Sequence, residues 1–171
     1  MKPTKYYENY PYWMIILSNL LSLAIYFIGA IIIYRFGLIW LLIYLLYIIW
    51  LELRLLKGSC ANCYYYGKYC AFGKGKLSCL FFSKGNSKKF IHKQITWKDI
   101  ISDFMVFISP LIIGIIVLIM DFSWLFLALV VLLSLLGFVG NAIIRDAWAC
   151  KYCKQRKIGC PAEKLFSKTK K

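Results

Sequence analysis

Histidine is almost missing from this chain, with His92 the only one among 171 residues. A single imidazole excludes a haem held between two histidines, a relay of several histidines and a histidine-rich metal site. Its surroundings, KKFIHKQ, form a basic loop with no serine–histidine nucleophile arrangement, and His92 reads as solvated. Carboxylates are scarce too, seven Asp and Glu against 22 Lys and Arg. They are scattered and mostly lie close to a Lys or Arg, so no acid–base pair of the kind general catalysis needs is visible. The chain therefore reads as a binding or structural protein rather than an enzyme. No small-residue cleavage pattern follows the first apolar run, which stays a true span rather than a secretory signal. The GKGK at positions 73–76 lacks both the GxxxxGK[ST] spacing and a preceding strand, which excludes a nucleotide-phosphate loop.

What is abundant is apolar surface and positive charge, 61% hydrophobic residues with a formal net charge of +15. Soluble domains average about 45–50% apolar residues, so this chain calls for a solvent other than water. Four runs supply the reason: residues 12–33, 37–56, 104–120 and 122–144, the third containing Pro110 and Gly114. Crossing hydrocarbon takes about 20 helical residues. The expected fold is an all-α integral membrane protein with four transmembrane helices. Ser18, Asn19 and Ser22 in the first run, and Gly137, Gly140 and Asn141 in the fourth, read as helix-packing residues.

Charge sets the expected orientation. With four spans, every Lys and Arg except Arg35 falls on one side, 21 of 22. Basic residues flanking membrane segments stay on the cytoplasmic side, so both termini are expected to be cytoplasmic, in the plasma membrane. Arg35 and Asp121 occupy the two short outer hairpins with opposite sign and are expected to pair. Glu52, Arg54, Arg145 and Asp146 lie at cytoplasmic helix ends, where they can support neighbouring backbone. No charged path crosses the membrane, which argues against an ion-coupled transporter. The clusters Lys84, Lys88, Lys89, Lys93 and Lys164, Lys168, Lys170, Lys171 should attract anionic lipid headgroups, at about 1 kcal/mol per basic residue. An acidic cytoplasmic protein or a membrane complex is the other expected partner; nucleic acid is not expected.

All seven cysteines fall in two places. Cys60, Cys63 and Cys70 lie in CANCYYYGKYC, with Cys79 shortly after; Cys150, Cys153 and Cys160 lie in CKYCKQRKIGC. Both read C-x2-C-x6-C, and a displacement of 90 residues superposes the two cysteine sets and their preceding helices. The unit is helix, tight hairpin, helix, cysteine knuckle, and two such units would be related by an axis along the membrane normal. The chain divides into a cytoplasmic N-terminal segment (1–11), helical hairpin 1 (12–56), a Cys/Lys-rich segment (57–95), an interfacial helix with hairpin 2 (96–146) and a Cys-rich basic tail (147–171). Residues 96–103 read as the interfacial helix. Tyr64, Tyr65, Tyr66 and Tyr69 read as interfacial anchors.

Cytoplasmic cysteines are kept reduced, so metal ligation is the expected chemistry for all seven: Cys60, Cys63, Cys70, Cys79, Cys150, Cys153 and Cys160. A C-x2-C pair presents two thiolates to one tetrahedral ion. Three groupings remain open. Cys60, Cys63, Cys70 and Cys79 could close one site while the second knuckle recruits His92. The two knuckles could instead pool their sulfurs. Or an iron–sulfur cluster takes four of them, since Cys160–Pro161 is similar to the ending of bacterial ferredoxin motifs. The spacing from Cys150 to Cys160 resembles one half of the fungal binuclear zinc-cluster DNA-binding domain, over eleven residues. The resemblance implies a precedent for the metal geometry. DNA binding does not carry over, because two spans separate the halves and the first is aromatic rather than basic.

The expected function is a Zn2+- or iron–sulfur-organised scaffold on the cytoplasmic face that docks lipid or a partner. A membrane-bound iron–sulfur electron-transfer subunit is the first alternative, and a thiol redox enzyme or metal chaperone the second.

Overall fold

The structure is a computed structural model that describes residues 6–92 and 96–161. Lys93, Lys164, Lys168, Lys170 and Lys171 of the expected lipid-binding clusters lie outside the described residues, as do the side chains of Lys89 and Asp146. Every regular element among the described residues is a helix. The α-helices are α1 (Tyr12–Tyr34), α2 (Leu38–Gly58), α3 (Lys74–Phe81), α4 (Ser87–His92), α5 (Trp97–Met120), α6 (Trp124–Leu135) and α7 (Lys154–Gly159). Among the described residues there is no strand beyond an isolated bridge between Tyr7 and Cys153.

Four helices are long and apolar enough to cross a membrane, as a multi-pass membrane protein requires. Residues 96–103 are not separate from the third span; they form the first turns of α5, closed by a capping box between Thr96 and Asp99. α6 widens into π-helical turns at Leu136–Gly140 and Ala142–Cys150. There the Asn141 side chain donates to the Gly137 carbonyl at 2.9 Å. The helix thus runs on past residue 144, where the apolar run stops, and has Cys150 at its end.

α1 and α5 form the central pair, α2 leans on both, and α6 packs against α5 and α1. Their seam is filled by Ile25, Ile28, Ile32, Phe107, Val130 and Leu133. One detail explains how α5 tolerates proline. Pro110 has no N–H to give the carbonyl of Val106 four residues earlier, and an unpaired carbonyl in an apolar interior is costly. The Tyr44 hydroxyl from α2 donates to that oxygen at 2.8 Å. Gly29 of α1 makes room for it, because a Cβ there would lie 2.4 Å from the Tyr44 hydroxyl and 3.1 Å from Pro110. At the end of the bundle away from the cysteines the expected pair forms, with Arg35 Nη2 at 3.1 Å from Asp121 Oδ2. Both side chains are more than half exposed, so the pair contributes at most about 1 kcal/mol.

Replacing Tyr44 by Phe leaves the Val106 carbonyl unpaired and should cost about 1–3 kcal/mol. Thermal denaturation in detergent or nanodiscs measures this, and an unchanged midpoint would show that the hydroxyl does not compensate for Pro110.

Candidate metal centre at the paired cysteine knuckles

Each knuckle begins where a long helix runs out. After α2, Cys60–Asn62 make one 3-10 turn in which the Cys63 N–H donates to the Cys60 carbonyl at 3.2 Å, and the Tyr66 N–H then donates to the Cys63 carbonyl at 3.1 Å. After the π-helical end of the fourth span, the Cys153 N–H donates to the Cys150 carbonyl at 3.3 Å and the Arg156 N–H to the Cys153 carbonyl at 3.2 Å. Residues 90 apart thus make the same two backbone bonds.

Beyond this shared turn the loops differ. In the first, the Gly75 N–H donates to the Cys70 sulfur at 3.4 Å. A Cβ on Gly75 would lie 2.1 Å from the Tyr65 carbonyl oxygen and 2.7 Å from that of Lys68, so only glycine fits. Gly73 adopts φ +68°, a left-handed conformation that glycine reaches without a steric penalty. The close approach at Gly75 and the left-handed turn at Gly73 together account for the GKGK. Four contacts then tie the loop to the long helices. Asn19 Nδ2 donates to the Phe72 carbonyl at 3.2 Å, and the Arg145 guanidinium stands 5.2 Å from the Phe72 ring centroid. Lys74 Nζ lies 2.7 Å from Glu52 Oε2, and the Ser78 hydroxyl donates to the Leu56 carbonyl at 3.2 Å. Glu52 and Arg145 thus reach the first loop through the Lys74 side chain and the Phe72 ring rather than through its backbone or its cysteines, whereas Arg54 pairs with Asp99 of α5 at 3.2 Å.

The two knuckles meet. Gln155 of α7, 4% exposed, accepts from the Tyr64 N–H at 2.8 Å and from the Cys63 thiol at 3.7 Å, and donates to the Gly159 carbonyl at 2.9 Å. Tyr65, 2% exposed, donates its hydroxyl to the Tyr7 carbonyl at 2.6 Å and accepts from the Lys154 N–H at 3.0 Å. The expectation that Tyr65 anchors the chain in the interface is therefore corrected: its ring lies in a small core with Tyr10, Met14, Ala71 and Ala149, against which Cys63, Cys70 and Cys153 pack.

The N-terminal segment is the third partner, and sequence reasoning missed it. Tyr7 donates its N–H to the Tyr152 carbonyl at 3.2 Å, Tyr10 its N–H to the Tyr69 carbonyl at 2.9 Å and its hydroxyl to the Ala149 carbonyl at 2.6 Å. Glu8 accepts from Lys68 at 3.3 Å, from the Tyr64 hydroxyl at 3.0 Å and from Lys154, joining both knuckles through one carboxylate. Residues 6–13, YYENYPYW, carry five aromatic side chains that could have signalled a packed segment. No comparable signal marks Gln155.

The thiols sit unevenly. Burial pushes Cys63 up to about 12, with neighbouring Cys153, Cys70 and Cys160 adding to the shift against a backbone bond near Tyr65. Cys153 is raised for the same first reason, and Cys160 and Cys70 add to it. Cys63 thus feels Cys70, Cys153 and Cys160, Cys153 feels Cys70 and Cys160, and Cys60, also raised by burial, feels Cys70 and Cys63; all seven cysteines are free thiols. Cys79 stands apart, exposed on α3. His92 ends α4, exposed, beside Ile91, whose side chain lies 3.0 Å from where a Cβ on Gly159 would be. Among the described residues, no three His, Cys, Asp or Glu side chains stand together as a ready ligand set. The chain matches no protein-family profile, no curated protein and no solved structure.

Two outcomes follow. Tyr65→Phe removes a hydroxyl that serves both Tyr7 and Lys154 and should cost about 1–3 kcal/mol, read as a lower melting temperature with faster proteolysis of the N-terminal segment. Wild-type proteolysis would show the contact dispensable. Hydrogen bonds from Lys154 chiefly, then from Tyr64 and Lys68, hold the Glu8 carboxyl down to about 2 from an ordinary 4.5. A depressed carboxylate contributes stability that is complete above 4.5 and is lost as pH falls toward 2. Hydrogen exchange at residues 6–10 should accelerate across that window in the wild type and already be fast at neutral pH in Glu8→Gln.

Proposed function

We propose that this protein is a membrane scaffold whose two knuckles, both on the cytoplasmic face, form a cysteine-thiolate metal site that fixes that face for docking lipid or an acidic partner. The observation that carries the reading is the pair of matching Cys-x2-Cys turns, brought face to face by Gln155 and Tyr65. Packing alone imposes no shared turn and no shared spacing, whereas a tetrahedral ion needs two sulfurs presented from one tight turn. The matching turns, the 90-residue displacement of helices and the central α1–α5 pair flanked by α2 and α6 support a parallel duplication.

Of the three groupings, pooled sulfurs fit best. Cys63 has Cys70 of its own knuckle and Cys153 and Cys160 of the other within electrostatic reach, four sulfurs in all, whereas Cys79 is exposed on α3. Ligation then requires the four sulfurs to turn toward one ion and lose their protons to it, coupling metal affinity to pH. The amide hydrogen bond from Gly75 to the Cys70 sulfur is the kind of support that orients a thiolate ligand. A thiol-exchange enzyme would need thiols lowered well below their ordinary range, and burial of Cys60, Cys63 and Cys153 acts in the opposite direction. Cytoplasmic placement of both knuckles rests on the charge asymmetry, since Arg35, the basic residue at the other end, is balanced by Asp121.

Metal and acid-labile sulfide analysis with an absorption spectrum, on protein purified anaerobically in detergent, tests the proposal. Near-stoichiometric zinc, lost in both Cys63→Ser and Cys153→Ser, is the expected result and locates the ion between the knuckles. Iron with sulfide and a reducible band would instead make the chain an electron-transfer subunit. Absence of any metal would sink the site.

A further inference from the structure

Helix α3 has two unlike faces. Gly75 and Ser78 face inward, the first closing on the Tyr65 and Lys68 carbonyls and the second bonded to Leu56. Leu77, Leu80 and Phe81, spaced as one helical stripe, point outward at 42%, 77% and 64% exposure. Nothing in the knuckle core uses them. The Tyr66 hydroxyl, donating to the Phe82 carbonyl at 2.8 Å, holds the far end of the helix down, so the inner face is fixed and the apolar stripe stays outside.

Ser78 bonds the last turn of α2, which sets the level of α3. It lies beside the end of a helix whose Leu46, Ile49, Trp50 and Leu53 are also exposed, side chains that a membrane span turns to lipid. Charge points the same way. Between Glu52 and Asp99 the chain carries ten Lys and Arg and no carboxylate, and Lys76, Lys84 and Lys88 are exposed on or just after α3. A short helix with an apolar stripe and flanking lysines is built to lie in a headgroup layer. Three side chains on eight residues fall well short of the roughly 800 Å² per partner that a stable protein interface buries.

We propose that α3 is an in-plane anchor, with Leu77, Leu80 and Phe81 seated at the acyl boundary of the cytoplasmic leaflet and Lys76, Lys84 and Lys88 holding anionic phospholipid headgroups. The proposal deepens the scaffold reading and rests on it for the side of the membrane and for the lipid role of that face. It does not rest on the identity of the metal. Cys79, on the same helix, then belongs to the membrane-facing element rather than to the ligand set.

The test replaces Leu80 by the photocrosslinker p-benzoylphenylalanine in the full chain, in nanodiscs of phosphatidylcholine with a minority of phosphatidylglycerol, with metal content measured on the same sample. Phospholipid adducts are expected, with phosphatidylglycerol enriched about fivefold for each lysine engaged. The enrichment should fall away in K84E/K88E while the adducts persist. Adducts confined to a second copy of the chain or to a co-purified acidic protein, or no adducts at all, would overturn the anchor. An anchor that crosslinks lipid in a metal-free sample stands while the metal site falls; a metal-loaded sample without lipid adducts shows the reverse.

Discussion

The knuckle face depends on one buried amide. Gln155 is the side chain through which the second knuckle holds the backbone of the first, by accepting from the Tyr64 N–H and the Cys63 thiol while its own amide group donates to Gly159. A buried amide is tolerated only when its donor and acceptor are both used, and here they are used on opposite knuckles. Without that link, Cys63 and Cys153 would hang from two helix ends that belong to different hairpins. The thiol neighbourhood exists because the amide closes it.

The N-terminal segment completes the closure at a different cost. Tyr7 and Tyr10 bury rings and donate backbone and hydroxyl protons to both knuckles, so their contribution lies mostly in burial and in neutral hydrogen bonds. Glu8 adds a screened, exposed electrostatic link to Lys68 and Lys154. The two kinds of contact respond to different conditions. Acid removes the second and leaves the first, which makes the segment a graded clamp rather than an all-or-none one.

The membrane part of this fold was legible because its signals are long and local. Twenty apolar residues need no tertiary information to declare a span, and opposite charges in two very short hairpins leave few partners besides each other, which is why Arg35 and Asp121 could be paired in advance. The cysteine spacing also survives reading by eye. What escaped is what depends on contacts distant along the chain: that Tyr65 is core rather than interfacial anchor, that Gln155 bridges the knuckles, and that α3 turns an apolar stripe outward. Tyrosine near a membrane end satisfies either environment, and only the Tyr7 and Lys154 backbone groups decide which one it occupies. The GKGK shows the same limit, since Gly75 answers to the Tyr65 and Lys68 carbonyls and Gly73 to a left-handed turn.

Charge balance connects the proposed site to the basic excess. Four thiolates around one divalent ion carry a net charge of about −2, which an apolar pocket would oppose. Lys68, Lys151, Lys154 and Lys157 surround the knuckles, and within 6–92 and 96–161 Glu8 is the acid that joins them there. Such a surplus of positive charge would repel itself unless something negative were held at its centre or spread beneath it. In the proposed arrangement bound thiolates would supply the first and anionic headgroups under α3 the second, so the proposed metal site and lipid anchor would answer the same electrostatic need from opposite sides.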